Sequence, residues 1–317
     1  MRRDDSFYIP SPTVKLNELQ SEPAQFICRV IYRVMSMTIT RQTVAQIVDN
    51  MPIRGNYVGS NGIAMIEHPD IETRSQPSSD ATKRASELCS DVDPMTLDVD
   101  LRAAGAFQEL WEKNPQSVDA ARRCLEIVSS VVHDITSKVY SDIHPHPATF
   151  EQPNKTPGCT KEVYRHTREC CPEYGRLHNS RYRWYWSFKH NSSSMVGYWA
   201  ETMIFGGPVL FARGREGTEC YAAFIHAPNL GIIQLTDDQI KSFCSLADAV
   251  EESSVSINET QPLVLPFTPA NGAYRRSIEE AIAQFIYRED GQLDGMKRYH
   301  QRIGHIERRC GNARPSY

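Results

Sequence analysis

The chain has 317 residues, 40% hydrophobic and 23% charged, with a formal net charge of −4. This is the composition of an ordinary globular protein, long enough for one large or two modest domains, and it lacks the global basic field that nucleic acid requires. No segment approaches the roughly 20 apolar residues that span a bilayer, and the first 30 residues hold no signal-like apolar run, so a soluble, cytoplasmic chain without a membrane partner is expected.

Residues 1–69 read as N-terminal helices and loop. Pro23 suits the first position of a helix, and Phe26, Ile27, Val30, Ile31 and Val34 then form one apolar stripe. A second short helix, about 41–51, carries Val44, Ile47 and Val48. Residues 70–94 hold six Asp or Glu against three Lys or Arg and read as a polar acidic linker or surface loop, too poor in apolar groups to offset the entropy of ordering.

The clearest periodicity lies in residues 95–143. Val118, Ala121, Leu125, Val128, Val132, Ile135 and Val139 recur at alternating spacings of 3 and 4, with Ser117 placed to cap the helix. Leu97, Leu101, Ala104, Gln108 and Trp111 run nearly the same way before Asn114-Pro115, so the pair predicts an αα-hairpin. The heptad seam is compatible with a homodimer, although packing inside the chain is the preferred reading of so few heptads.

Residues 144–180 form a polar loop rich in His and Cys. His144, His146, Cys159, His166, Cys170 and His178 are candidate zinc ligands, because zinc takes four nitrogen or sulfur donors and the His-x-His and His-x3-Cys spacings can supply pairs. A CxxC pair is missing, and the adjacent Cys170 and Cys171 cannot easily ligate one ion together. Nine cysteines, an odd number without a secretory leader, otherwise read as free thiols. Residues 151–190 also interleave eight basic residues with seven aromatics, a combination found in single-strand nucleic-acid platforms. In the strand expected at 181–190 the two kinds point to opposite faces, which disfavours that use.

Residues 181–287 are expected to hold an antiparallel sheet plus helices. Strands are predicted at 181–190, 196–205, 209–213, 219–226 and 231–235, joined as a meander by short Gly-containing loops. Glu201 breaks the pattern, since it lies in phase with Trp199, Met203 and Phe205. If Gly206–Pro208 is a three-residue hairpin loop, Phe205 opposes Val209, Met203 opposes Phe211, and Glu201 opposes Arg213. The Glu201–Arg213 pair is preferred as a device that fixes strand register. Alternatively the two are catalytic groups in a pocket between sheet and helices. Thr236 with Gln239, and Ser277 with Glu280, are capping boxes that open two further helices. Residues 288–317 form a basic C-terminal tail.

Established catalytic motifs do not occur: there is no GxSxG, GxGxxG, phosphate-binding P-loop or HExxH. His226 and Cys220 share a strand face in this reading, but six residues of strand separate them by about 20 Å, too far for proton transfer.

The run Tyr198-Trp199-Ala200-Glu201, Phe205-Gly206-Gly207, Leu210-Phe211-Ala212-Arg213-Gly214 and Gly217-Thr218-Glu219-Cys220, with Ile225-His226 and Gln234-Leu235, resembles uncharacterised proteins of filamentous fungi. The similarity covers residues 198–235 and brings no established activity and no catalytic residues. It implies membership of a lineage-restricted accessory set, such as those of specialised (secondary-metabolite) pathways.

The sequence therefore predicts an α+β protein: an N-terminal helical half with an αα-hairpin, and a C-terminal antiparallel meander packed with helices on one face. The preferred functional class is a non-enzymatic accessory or interaction protein with a protein partner. The alternative is a small-molecule binder or enzyme using Glu201 and Arg213.

Overall fold

The computed structural model describes residues 12–56, 73–144, 177, 192–215, 217–227, 231–248 and 275–288. Over these residues the fold is α+β, with eight helices and antiparallel sheets. The predicted strand at 181–190 and most of the His/Cys-rich loop lie outside the described residues.

The N-terminal half is helical. Strand β1 (Thr13–Lys15) precedes helices α1 (Ser21–Ser36) and α2 (Thr38–Val48). The segment expected to be an acidic surface loop contains helix α3 (Ser79–Ser90) instead. Ser78 caps it by accepting from the Ala81 amide, and Asp49 in turn accepts from the Ser78 amide and hydroxyl. Leu88 is half-buried against the core, and Ala81, Ala85 and Cys89 are buried at helical spacing. Such small side chains let α3 lie close to α2 while adding few apolar atoms to the stretch, which is why its composition reads as that of a linker.

Strand β2 (Asp98–Asp100) pairs antiparallel with β1 and runs into α4 (Leu101–Lys113), which forms the expected hairpin with α5 (Val118–Ile143). The Ser117 hydroxyl accepts from the Ala120 amide, capping α5 as predicted. The α5 seam of Ala121, Leu125, Val128, Val132 and Ile135 is buried within this chain, against α1, α4 and α7 (Asp237–Cys244). Helix α5 is the central post of the fold: fifteen of its residues are buried, including Arg123, Glu126 and His133.

Residues expected as the second strand are helical: α6 spans Ser192–Phe205. From Ser193 to Phe205 only Met203 is less than buried, so the segment is apolar nearly all round. Such a run has no exposed polar face, and its few polar residues mark the period only weakly. Gly206, with φ 83°, closes α6 in the left-handed region, and Pro208 prevents its continuation. The proposed hairpin loop is therefore a helix-to-strand turn, and Glu201 does not oppose Arg213 across a hairpin.

Strands β3 (Val209–Ala212), β4 (Ala223–Ala227), β5 (Gly231–Gln234) and β6 (Arg275–Arg276) form a meander. Short helix α8 (Ile278–Ala283) then leads to β7 (Ile286–Tyr287), which pairs with β3 at the opposite edge, giving the order β6-β5-β4-β3-β7. Nine residues, Ser277 to Phe285, connect the two outermost strands, so the sheet has to curl. Both of its faces are covered, where one was expected. Val209, Phe211, Ala223, Ile225 and Ile233 face the helical core, while Leu210, Phe224 and Ile232 pack with Tyr198, Ala281 and Ile286. Double burial explains why these strands show apolar runs rather than alternation.

Candidate functional site

Two polar stripes meet where α5 crosses α6. On α5, Arg123, Glu126, Ser130, His133 and Ser137 recur at spacings 3-4-3-4, beside the apolar seam. On α6, Ser194, Gly197 and Glu201 recur at 3-4, on one face. Gly197 sets the distance between the helices. A Cβ placed there would lie 2.7 and 2.8 Å from His133 Cε1 and Nδ1. Without a side chain at 197, the imidazole lies along α6 and reaches two turns of it at once.

His133 Nδ1 is 2.8 Å from Glu201 Oε1, and its Nε2 is 3.0 Å from Ser194 Oγ. The ring meets Tyr198 edge-on, with centroids 4.5 Å apart. Glu201 is fully buried, and His133, Arg288 and Ser194 are 4%, 3% and 7% exposed, so these bonds form away from bulk water. Glu201 Oε1 also accepts from Arg288 Nη1, and Oε2 accepts from the Val209 amide at 3.2 Å. Burial pushes the Glu201 carboxyl up, but the Arg288 charge and the His133 contact outweigh it and hold the carboxyl below its ordinary value of 4.5. Glu201 is thus a carboxylate, and a carboxylate only accepts. The His133 Nδ1 therefore bears hydrogen and donates to Glu201, and the other ring nitrogen, Nε2, faces the Ser194 hydroxyl.

Arg213 belongs to a second pair. It lies in phase with Val209 and Phe211, facing α5, and its Nη1 donates to Glu126 Oε1. Arg123 Nη1 donates to the other Glu126 oxygen at 2.8 Å, and Arg123 Nη2 donates to the Thr218 carbonyl. The Arg213 guanidinium also lies 5.0 Å from the Phe211 ring centre. Burial opposes its charge, yet Glu126 more than compensates and raises its pKa. The same surroundings push the Cys220 thiol up to about 12, through burial first and the Glu126 charge second.

The two pairs are joined by one strand end. Arg213 Nη2 donates to the Arg288 carbonyl at 2.7 Å, and the Arg288 side chain returns to Glu201. Pairing of β7 with β3 fixes this geometry, with Tyr287 opposite Phe211. Phe285, at φ 54°, turns the chain from α8 into β7 and so delivers Arg288 to the interior. The connected order is Arg123, Glu126, Arg213, Arg288, Glu201, His133, Ser194.

The sequence-predicted residues divide accordingly. Glu201 and Arg213 are both in this cluster but in different ion pairs. His133, Ser194, Glu126, Arg123 and Arg288 were not foreseen. Of the zinc candidates, His146, Cys159, His166, Cys170 and His178 lie outside the described residues. His144 caps the end of α5, with Nε2 3.1 Å from the Ile47 carbonyl and its ring on Tyr140. Among the described residues, no group of three or more His, Cys, Asp or Glu could hold a metal ion. Two described surface clefts, one along α3 and one beside Cys28, Arg29 and Tyr32, do not include the cluster. No helix among the described residues is long and apolar enough to cross a membrane.

No family model, curated protein or solved structure matches the chain.

Proposed function

We propose that the protein is an enzyme performing acid–base chemistry on a small molecule, with His133 as the proton-transferring group and Glu201 as its orienting carboxylate. The observation that carries this reading is the two-ended engagement of the imidazole, carboxylate at Nδ1 and hydroxyl at Nε2. A carboxylate on Nδ1 fixes tautomer and orientation and stabilises the imidazolium formed when Nε2 takes a proton. Arg288 and the Val209 amide keep that carboxylate ionised and immobile. Arg213 acts at one remove, holding the Arg288 backbone through its carbonyl.

A second reading is a non-enzymatic accessory or interaction protein, in a fungal specialised pathway by resemblance. It is favoured by the ion pairing itself: Arg288–Glu201 and Arg213–Glu126 each tie a sheet strand to a helix, as a folding clamp does.

The deciding experiment measures turnover by the full chain on a panel of esters and of carbon acids that exchange deuterium, beside His133→Gln and Glu201→Gln. The enzyme reading expects a wild-type activity that falls by about 100-fold or more in both variants, the usual size of a lost acid–base contribution. Equal rates for wild type and folded variants on every substrate would leave the accessory reading in place.

A further inference from the structure

We propose that Ser194 is a nucleophile, and that the substrates of this site are carboxylic esters. The inference rests on the acid–base reading of His133 and adds a covalent step to it. The order of atoms is that of an activated hydroxyl: Ser194 Oγ 3.0 Å from Nε2, Nδ1 2.8 Å from Glu201 Oε1, and the carboxylate ionised. All three are held by regular structure, since Ser194 and Glu201 are two turns apart on α6 and His133 enters from α5 over Gly197. Such placement on packed helices keeps the three groups aligned.

Ser194 also stands in the first turn of a 14-residue helix. The positive end of the helix dipole lies at that turn and favours negative charge developing beside it.

The chemistry balances with water as the only co-reactant. Ser194 Oγ bonds to the ester carbonyl carbon, its proton passes to His133 Nε2, and the carbonyl π electrons move onto oxygen. Collapse of that oxyanion breaks the bond from carbon to the alkoxy oxygen, and His133 Nε2–H gives its proton to the departing alkoxide. An acyl group is left on Ser194. Water then adds to the acyl carbon with its proton taken by Nε2, and Ser194 departs with that proton, releasing the acid. Glu201 stays a carboxylate throughout.

The test uses an alkyl fluorophosphonate on the folded full chain, read by intact mass and peptide mapping. Attack by Ser194 expels fluoride and leaves one phosphonyl group. One adduct per chain on Ser194 is expected, absent in Ser194→Ala, retained in Ser193→Ala, and formed about 100-fold more slowly or worse in His133→Gln. Thermal unfolding of each variant shows that it is folded. No adduct on folded wild type, or an adduct on another serine, overturns the nucleophile. If turnover depends on His133 but survives in Ser194→Ala, the nucleophile fails and the acid–base reading stands. If Ser194 labels equally fast in His133→Gln, the acid–base reading fails.

Discussion

Two glycine-to-alanine substitutions, both inside helices, are expected to move stability in opposite directions. Replacing glycine in a helix interior ordinarily gains about 0.8–1 kcal/mol, because alanine has less backbone entropy to lose. Gly105 in α4 has nothing within 4 Å of the position a Cβ would take, so Gly105→Ala should realise most of that gain. At Gly197 the new methyl would stand 2.7 Å from His133 Cε1, whereas carbon atoms in contact settle near 3.5 Å or more. The methyl would also meet Ser137 Oγ, which can rotate aside. The imidazole is held at both nitrogens and cannot. Helices α5 and α6 then have to part by about 0.8 Å at their crossing, by that difference in contact distance. Overpacking of this kind costs about 1–3 kcal/mol, and weakening the bond between His133 and the ionised Glu201 adds about 1.5–3. Less the propensity gain, Gly197→Ala should lose about 1.5–5 kcal/mol. Urea unfolding followed by tryptophan fluorescence measures both variants, with Trp199 on α6 as a buried reporter. A Gly197→Ala protein as stable as wild type would refute the close crossing, and with it the placement of His133.

Glu201→Gln should cost about 3–5 kcal/mol near neutral pH, the usual loss when one member of a buried ion pair is removed. Its pH dependence has a definite sign. The folded carboxyl titrates below 4.5, so its contribution is complete above that value and is lost as pH falls through the depressed folded value. Stability measured from pH 6 downward should therefore fall less steeply in Glu201→Gln than in wild type, and parallel curves would contradict the assignment. Thr236→Ala removes a capping box in which the hydroxyl accepts from the Gln239 amide and the Gln239 side chain accepts from the Thr236 amide. It should cost about 1 kcal/mol by thermal or urea unfolding, with a loss under a few tenths contradicting the cap.

Much of the framework was legible because its signals are local. The α5 seam, the Ser117 cap and both capping boxes depend on residues a few positions apart, and each occurs where its spacing placed it. Strands β3 and β5 were legible for the same reason. Helix α6 was not, because Val196, Tyr198, Trp199, Ala200, Ile204 and Phe205 are buried on every side and leave only a short polar stripe to count against. Once α6 was taken as a strand, Glu201 acquired the wrong neighbour. Its true partners come from residues 133 and 288, 68 and 87 positions away. The Gly-x3-Glu step from 197 to 201, with Ser194 one turn earlier, was the available sign of a helical face. On α5 the polar stripe from Arg123 to Ser137 keeps the same period as the apolar seam, and a helix polar at that period yet buried needs a polar partner inside the fold.

The clamp and the enzyme share Glu201, so the stability lost on removing Glu201 cannot separate them: either role leaves Arg288 buried beside a neutral group. They part at the other end of the imidazole. A clamp draws its strength from the ion pairs and the helix crossing, and losing the Ser194–His133 contact removes one hydroxyl bond and leaves a buried ring nitrogen unpaired, a cost of about 1–3 kcal/mol. A nucleophile is indispensable whatever it contributes to folding. Ser194→Ala therefore isolates chemistry from architecture. A protein that has lost about 1–3 kcal/mol and its entire covalent reactivity carries a catalytic hydroxyl. One that has lost the same stability, from a wild type that was never reactive, carries a clamp whose last bond happens to be a serine.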